Sequence, residues 1–417
     1  MFWPLFLYIK IAQDWRNLYN TFYGGIQMNI GIFTDSYFPQ ISGVATSIKT
    51  LKDALEKQGH NVFIFTTTDP HVKKGTVEAN VFRFSSVPFI SFTDRRVAYR
   101  GFFEATKVAK EVKLDIVHTQ TEFALGMIGK YVAHQLKIPA VHTYHTMYED
   151  YLHYVLNGHL LRPYHVKQFT NVYLKNMDGV IAPSKRVEAL LKRYKVNIPM
   201  RVIPTGVDVN SINKPATFDV REELGIPADV PVLLTLSRIA EEKKIDRILN
   251  VMPEIIDEFP KVQLVISGDG PDLEVLQEQV ERLTLEDNVI FTGDIPHEDV
   301  GSYYKMADLF VSASDTETQG LTYIEALASG TRCVVYDTDY TEQVFDNDDF
   351  GKVFNGSSEM RGEILSYLRQ GRKPIPTDKL AAKLDQISAK RFASSVYQFY
   401  QDAIANYQKD LKEKIND

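Results

Sequence analysis

Two carboxylates flank a glycine in segment 314–330, SDTETQGLTYIEALASG. Glu317 lies on a predicted loop, where its carboxylate can accept hydrogen bonds from the hydroxyls of a sugar ring. Glu325 lies about one turn into the predicted helix that follows, where it can accept the two hydroxyls of a ribose. The backbone N–H groups near Gly320 and Leu321 stand at the start of that helix, where phosphate is stabilised. These groups suit a ligand that combines sugar hydroxyls with phosphate.

Two cations follow another predicted strand, in segment 237–244, SRIAEEKK. Arg238 and Lys243 are expected at the carboxyl end of that strand, where two fixed positive charges suit a diphosphate leaving group. Lys244 is an alternative to Lys243 in this register. A solvated, charged helix start is the other interpretation of the segment.

A histidine-rich segment, 142–151 (HTYHTMYEDY), follows a third predicted strand. His145 there can hydrogen-bond a hydroxyl of a donor or an acceptor. His118 and Glu122, at the end of the preceding strand, are second candidates for this role. From the residues alone, a structural role for each histidine stays open, and so does a metal site.

The elements that must position these residues begin at Met28 and alternate short apolar runs with helical periodicity. Such strands, separated by helices, are typical of a parallel sheet covered on both faces. In the first half they are 28–33, 61–65, 115–118, 139–143, 179–182 and 201–203. The pattern restarts with 231–236, 262–266, 289–291, 309–311 and 332–336. We therefore expect two tandem doubly wound α/β domains that bind ligands beyond the carboxyl ends of their strands.

The same pattern sets the expected boundaries. Residues 28–205 form the first domain and residues 206–390 the second. Residues 391–417 form a C-terminal helix that either crosses back to the first domain or ends the chain. Residues 1–27 form an aromatic-rich extension, for which an interfacial anchor and a disordered segment stay open.

The composition is that of a folded protein without disulfides. The hydrophobic and charged fractions, 44% and 24%, exclude a disordered or low-complexity chain. Cys333 is the only cysteine, which excludes an internal disulfide and a cysteine-based zinc site. No apolar run reaches the roughly 18 residues that span a bilayer.

The charge is distributed unevenly. The net charge of −7 disfavours general nucleic-acid binding. By formal charge, residues 28–205 carry +9 and residues 206–417 carry −17. A basic first half suits an anionic surface such as lipid head groups. A random imbalance of solvated charges is the alternative.

Combined, E-x-x-G-L-x-x-x-E-A-x-A-x-G and the upstream S-R-x-x-x-E-K resemble the family 4 retaining glycosyltransferases, over about residues 28–400. The resemblance implies a GT-B fold, with two Rossmann-like domains and a cleft between them. It further implies that Glu317 contacts the donor sugar, Glu325 the nucleotide ribose, and Arg238 with Lys243 the diphosphate.

Other positions match this family in the same way. Gly43 matches its Gly-rich donor loop, and Gly268 its I-x-G-x-G-P turn. Ile295 matches the loop whose backbone meets the base, and His145 the histidine near the reacting sugar. The resemblance also implies that the enzyme needs no metal or other cofactor.

Aromatic and arginine side chains are mixed in segment 86–103, as on surfaces that dip into a lipid head-group layer. Core aromatics beside solvated cations are the alternative. A second basic stretch follows near residue 192. The expected membrane-facing and acceptor-side residues are Phe89, Phe92, Arg95, Arg96, Arg100, Lys192 and Arg193.

With the basic first domain, the resemblance is closest to bacterial members that glucosylate diacylglycerol. We expect retaining transfer of glucose from UDP-glucose to diacylglycerol by a cytoplasmic protein held peripherally on the inner face of the cell membrane. The expected partners are a nucleotide sugar, a lipid acceptor and an anionic membrane, without nucleic acid. A soluble, polysaccharide or polyprenyl-linked acceptor is the alternative. A silent scaffold and a nicotinamide dehydrogenase are disfavoured, the latter because Leu273 replaces the third glycine of its fingerprint.

Overall fold

The computed structural model describes residues 27–40, 42–73, 76, 78–89, 92–149, 162–214, 218–296 and 298–416. Residues 1–26 of the predicted extension and residues 150 and 151 of the histidine-rich segment lie outside this description. The chain divides into two compact units. The first unit comprises Met1–Gly206 and Ala389–Asp417, and the second comprises Val207–Ser388.

The first unit contains a parallel sheet with strand order β3-β2-β1-β6-β7-β8-β9. Its strands are β1 (Asn29–Phe33), β2 (Asn61–Thr67), β3 (Val81–Phe84), β6 (Ile116–Thr119), β7 (Ala140–Thr143), β8 (Gly179–Ala182) and β9 (Met200–Val202). An antiparallel hairpin, β4 (Ser86–Phe89) and β5 (Phe92–Ala98), follows β3. Because β1 pairs with both β2 and β6, the strand order reverses between β1 and β6.

Helices cover both faces of this sheet. They are α1 (Gly43–Lys57), α2 (Phe102–Glu111), α3 (Ala124–Leu136), α4 (Pro163–Leu174) and α5 (Lys185–Arg193). Alternate strand residues face opposite layers, since Phe33 packs in one core cluster and Ile32 in the other. The side chain of Ser42 caps α1 by accepting from the N–H of Ala45 at 3.1 Å.

The C-terminal helix, Ala389–Asn416, belongs to the first unit. Its apolar face, including Val396 and Tyr400, is buried in the cluster that contains Ile30 and Ile48. At its periphery, Arg201 and Asp402 form an ion pair of 2.7 Å. The end of the chain therefore completes the core of the domain in which the chain begins.

The second unit contains a parallel sheet with strand order β12-β11-β10-β13-β14-β15. Its strands are β10 (Val232–Leu236), β11 (Gln263–Ser267), β12 (Val289–Gly293), β13 (Leu309–Ser312), β14 (Arg332–Tyr336) and β15 (Gly351–Phe354). The order reverses between β10 and β13. Leu233 and Leu234 pack into different core clusters, so both faces of this sheet are covered as well.

The helices of the second unit alternate with its strands. They are α6 (Val209–Ile212), α7 (Val220–Glu223), α8 (Ile245–Glu258), α9 (Leu273–Leu283), α10 (Val300–Met306), α11 (Leu321–Ala328), α12 (Asp339–Val344), α13 (Ser357–Gln370) and α14 (Thr377–Gln386). A short 3-10 segment, Glu241–Lys243, precedes α8. The predicted fold class, two doubly wound α/β domains, is confirmed.

Candidate active site

The predicted site residues of the second unit gather where its strand order reverses. Arg238 follows β10, and Glu317 lies on the loop after β13, the strand paired with β10. Loops that follow adjacent parallel strands on either side of a reversal enclose a crevice, which is the usual ligand site of such sheets. The topology thus brings together segments that are about 75 residues apart in the sequence.

Lys243 and Glu317 form an ion pair in which Nζ and Oε1 are 2.5 Å apart. Each side chain keeps 20% of its surface exposed. Lys244 instead has a left-handed backbone, with φ 51°, and lies 3.7 Å from Glu241. Of the two lysines considered from the sequence, Lys243 is therefore the one beside the predicted sugar-binding carboxylate.

Further contacts fix the loop that carries Glu317. The hydroxyls of Ser314 and Thr316 donate to the carbonyl of Glu242 at 3.2 and 3.4 Å. Arg247 and Asp315 form an ion pair of 3.2 Å. These contacts join the loop to the 3-10 segment and to α8, and so hold the loop of Glu317 beside the segment that carries Lys243.

Gly320 ends this loop in a conformation that only glycine adopts easily. Its φ is +68°, and an added Cβ would lie 2.4 Å from the ring of Tyr323. The helix α11 begins at Leu321, and its N-cap residue, Gly320, has no side chain that could cap the first turn. The first N–H groups of this helix form the positive end of its dipole, which suits the predicted phosphate.

Glu325 lies one turn into α11 and accepts a hydrogen bond from the Tyr304 hydroxyl at 3.1 Å. Burial raises the pKa of Glu325 to about 7, although the hydrogen bond from Tyr304 opposes this shift. The carboxyl therefore titrates near neutral pH. Tyr304 itself is fully buried and was not identified from the sequence.

The glycine turn at 266–271 packs against the loop after β10. A Cβ on Gly268 would lie 2.0 Å from the carbonyl oxygen of Ser237, and one on Gly270 would lie 2.0 Å from that of Ile239. The N–H of Ile239 donates to the carbonyl of Asp269 at 2.9 Å. The glycines are thus explained by close backbone packing beside Arg238, and this packing needs no dinucleotide.

Two further donor-side predictions concern positions outside this cluster. Ile295 is partly buried and packs against the core of the second unit. Gly43 is the exposed first residue of α1. The N–H of Ala45, in the first turn of this helix, donates to the Ser42 side chain and is therefore not free for the ligand expected from the sequence. The roles of Ile295 and Gly43 in donor binding stay predictions.

In the first unit, His145 lies beside Gln120, the residue that directly follows β6. The ring Nε2 of His145 and the Oε1 of Gln120 are 2.6 Å apart. Burial, and then the neighbouring His142, lower the pKa of His145 to about 3. The imidazole is therefore neutral near pH 7. Gln120 was not identified from the sequence, although its place after a strand at the reversal of the sheet favours a functional role.

Of the second candidates, His118 has a structural environment. It is buried, and its two ring nitrogens lie 2.6 Å from the Tyr400 hydroxyl and 2.7 Å from the Thr143 hydroxyl. The candidate catalytic role of His118 is thus replaced by one in holding the C-terminal helix. Glu122 is buried beside His142, 3.2 Å away, and accepts from the Tyr148 hydroxyl at 2.5 Å.

The predicted membrane-facing residues differ in their surroundings. Arg100 is exposed and lies 5.2 Å from the centre of the Tyr99 ring. Arg96 is instead half-buried, because its guanidinium donates to the hydroxyl and carbonyl of Ser86 at 2.9 and 2.8 Å. Arg96 therefore stabilises its own hairpin.

The second basic stretch is partly neutralised. Lys192 pairs with Glu188 at 2.8 Å, and Arg193 pairs with Glu149, with both cations exposed. The side chains of Phe89, Phe92 and Arg95 lie outside the described part of the chain. Among the helices of the described ranges, none is long and apolar enough to cross a membrane.

The question of a metal site was left open by the histidines. Within the ranges described above, no three histidine, cysteine or acidic side chains are grouped as metal ligands. His118, Glu122 and His142 instead bond to neighbouring side chains. That the protein works without a metal or other cofactor stays a prediction.

Comparison with known proteins relates both units to established families. The model of Glycosyltransferase Family 4 matches residues 41–211, and that of Glycosyl transferases group 1 matches residues 217–375. An alpha-monoglucosyldiacylglycerol synthase of Streptococcus pneumoniae strain R6 is 48% identical over 92% of this chain and 88% of its own. A second protein of that name, from Acholeplasma laidlawii, is 34% identical over 93% of this chain and 100% of its own.

Among solved structures, sucrose-phosphate synthase from Thermosynechococcus elongatus superposes with a TM-score of 0.73 at 22% identity. The match covers 91% of this chain and all of the other. At this identity the likeness concerns the fold alone.

Proposed function

Because the chain belongs to the GT-B glycosyltransferases that join a Family 4 domain to a group 1 domain, we propose that it transfers glucose from UDP-glucose to diacylglycerol. The product is alpha-monoglucosyldiacylglycerol, formed with retention at the sugar carbon. The observation that carries this proposal is the 48% identity over 92% of the chain to a synthase of that name.

The second unit supplies the donor site in this proposal. The N–H groups at the start of α11 and the cations Arg238 and Lys243 bind the diphosphate of UDP-glucose. Glu317 accepts hydrogen bonds from the glucose hydroxyls, and Glu325 from those of the ribose. The sharp turn at Gly320 supports this assignment, because it sets the loop carboxylate and the helix start next to each other.

The chemical step breaks the bond between the glucose C1 and the diphosphate oxygen. That oxygen keeps the electron pair, and the two cations stabilise its charge as it develops. The hydroxyl oxygen of diacylglycerol forms the new bond to C1 on the face that the diphosphate leaves, and its proton passes to the departing phosphate. His145, which is neutral near pH 7, accepts a hydrogen bond from a hydroxyl of the bound substrates.

The first unit supplies the acceptor side and the contact with an anionic membrane. Three side chains that follow the hairpin are well exposed: Tyr99 by 59%, Phe102 by 41% and Phe103 by 84%. Arg100 lies among them. Aromatic rings beside a cation suit the interface between lipid head groups and acyl chains, where a peripheral protein rests. This arrangement supports a peripheral location on the inner face of the cell membrane.

The test is transfer of radiolabelled glucose from UDP-glucose to diacylglycerol in vesicles, followed by thin-layer chromatography. We expect a glucolipid with the wild type and at least a 100-fold lower rate with Glu317→Gln, since the amide no longer accepts through two charged oxygens. Glu241→Gln is the matched control, because the Glu241 side chain is 68% exposed, and it should keep the full rate.

Two results would contradict the proposal. Glucose transferred to a soluble or polyprenyl-linked acceptor but never to diacylglycerol would keep the glycosyltransferase and reject the lipid acceptor. Full activity of Glu317→Gln would reject the site.

A further inference from the structure

Gln120 occupies a fixed position at the reversal of the first sheet. It is only 3% exposed, and its N–H donates to the carbonyl of Phe33, the last residue of β1, at 2.8 Å. The strand on which it depends, β6, is paired along its length with β1. The backbone at Gln120 is therefore set by the sheet.

The residue after Gln120 is held equally firmly. The hydroxyl of Thr121 donates to the carboxylate of Asp35 at 2.7 Å and accepts from the Asp35 N–H at 2.9 Å. The carbonyl of Thr121 accepts from the Tyr173 hydroxyl at 3.1 Å. These contacts from Phe33, Asp35 and Tyr173 limit the freedom of the loop and hence of the Gln120 side chain.

The hydrogen bond to His145 has a chemical consequence. An amide oxygen can only accept, so the His145 Nε2 that faces it must carry the ring proton. In a neutral imidazole the other nitrogen, Nδ1, is then an acceptor. Burial opposes a positive charge on this ring, and the neighbouring His142 disfavours it further.

The amide nitrogen of the Gln120 side chain lowers the stability of the fold. Its Nε2 is buried, and no described residue accepts a hydrogen bond from it. A buried donor without a partner lowers the stability of the fold, so packing alone would favour an apolar side chain of similar size here.

Gln279 of the second unit shows the contrast. It is similarly buried, at 5% exposure, but its Nε2 donates to the carbonyl of Asp246 at 3.0 Å and to the side chain of Asn250 at 2.9 Å. Gln279 is thus a glutamine whose contacts serve the fold. The Nε2 of Gln120, by contrast, has no acceptor among the described residues, so its amide does not serve the fold in this way.

We propose that Gln120 is a positioning residue for the transfer reaction, holding His145 in the tautomer that leaves Nδ1 as the acceptor for a substrate hydroxyl. This inference rests on the function proposed above. Gln120 acts through His145, which is the group in contact with the substrate.

The first test compares Gln120→Met with the matched control Gln279→Met. Methionine keeps the volume and removes the amide. For Gln120→Met we expect an unchanged or higher melting temperature, at least a tenfold lower kcat and little change in KM. For Gln279→Met we expect a lower melting temperature and an unchanged kcat. A lower melting temperature with a normal kcat for Gln120→Met would overturn the proposal, since it would make Gln120 purely structural.

The second test reads the tautomer directly, by nitrogen NMR of protein labelled at histidine, without substrates. The His145 resonances are identified by their loss in His145→Asn. We expect the proton on Nε2 in the wild type and a mixture of both tautomers in Gln120→Met. A wild-type proton on Nδ1, or no change in the variant, would overturn the proposal. Because this readout needs no donor or acceptor, it stands even if the wild type forms no glucolipid.

Discussion

The ion pair of Lys243 and Glu317 orders two side chains of the candidate donor site in the absence of a ligand. Their ion pair fixes two flexible side chains at the ends of neighbouring loops. Ordering such side chains on binding costs about 0.5–1.5 kcal/mol each. Since the pair is already ordered, less of this cost falls on donor binding. In the proposed function, the diphosphate competes with Glu317 for Lys243, and the Glu317 carboxylate then becomes available to the sugar hydroxyls.

Glu325 provides a prediction about pH. Its pKa of about 7 lies above the ordinary value of 4.5, so the carboxylate that we propose as the acceptor for the ribose hydroxyls is protonated as the pH falls through 7. Between pH 8 and pH 6 we expect the KM for UDP-glucose to rise roughly tenfold, following the ionised fraction. Initial rates across this range measure it.

Glu325→Gln should have a high KM that no longer follows pH in this window. The same shift has a sign for stability: the folded state binds the extra proton, so Glu325 lowers the stability as the pH rises from about 4.5 to about 7. A KM for the wild type that stays constant from pH 6 to pH 8 would contradict the role of Glu325 in ribose binding.

From the sequence, the candidate site residues that could be predicted are those that lie in local motifs. Glu317, Gly320 and Glu325 share one loop and helix, and Lys243 lies in a short basic segment. Tyr304 and Gln120 could not be predicted, because what singles them out is a contact with a residue distant in sequence. Tyr304 contacts Glu325, and Gln120 contacts His145. A single tyrosine or glutamine in a sequence carries no such information.

At the level of elements, the central strands were predictable and some edge strands were not. Val232–Leu236 and Gln263–Ser267 are nearly continuous apolar runs, because both faces of a parallel sheet are covered. Val81–Phe84 and Gly351–Phe354 lie at sheet edges and each contain a charged residue. In the first of these, Arg83 donates to the carbonyls of Thr67 and Phe38, which are distant in sequence.

The start of α11 provides a prediction at this scale. Gly320→Ala forces an alanine into φ +68° and places its Cβ against Tyr323, so the loop must shift. We expect a loss of stability of about 1–3 kcal/mol and a several-fold higher KM for UDP-glucose, because the carboxylate and the N–H groups move apart. Thermal unfolding and donor saturation curves measure the two effects.

Gly371→Ala is the control for this change. Gly371 also has a φ of +68°, but no atom lies within 4 Å of an added Cβ. Its ψ of 173° differs from the 69° of Gly320, so Gly371→Ala should lose stability through its own strained backbone but keep an unchanged KM. Equal KM values for the two variants would mean that the turn at Gly320 does not set the donor site.

At the scale of the whole molecule, the return of the C-terminal helix sharpens the separation of charge. With that helix included, the first unit has a formal charge of +11 and the second unit −18, which together give the net −7. Charge on this scale governs association with other surfaces more than folding. We therefore expect an anionic membrane to attract the first unit and to repel the second.

This separation of charge should make the proposed membrane binding sensitive to salt and to single exposed cations. Each lysine or arginine near an anionic surface contributes about 1 kcal/mol, and the attraction is screened as the ionic strength rises. We expect binding to vesicles that contain anionic lipid to fall steadily with added salt. Because Arg100→Glu changes two charges, its binding should be about thirtyfold weaker at low salt. Arg282→Glu, an exposed change on the second unit, should bind as the wild type does. Equal weakening by both changes in a vesicle sedimentation assay would show that net charge, and not the surface around Arg100, directs the protein to the membrane.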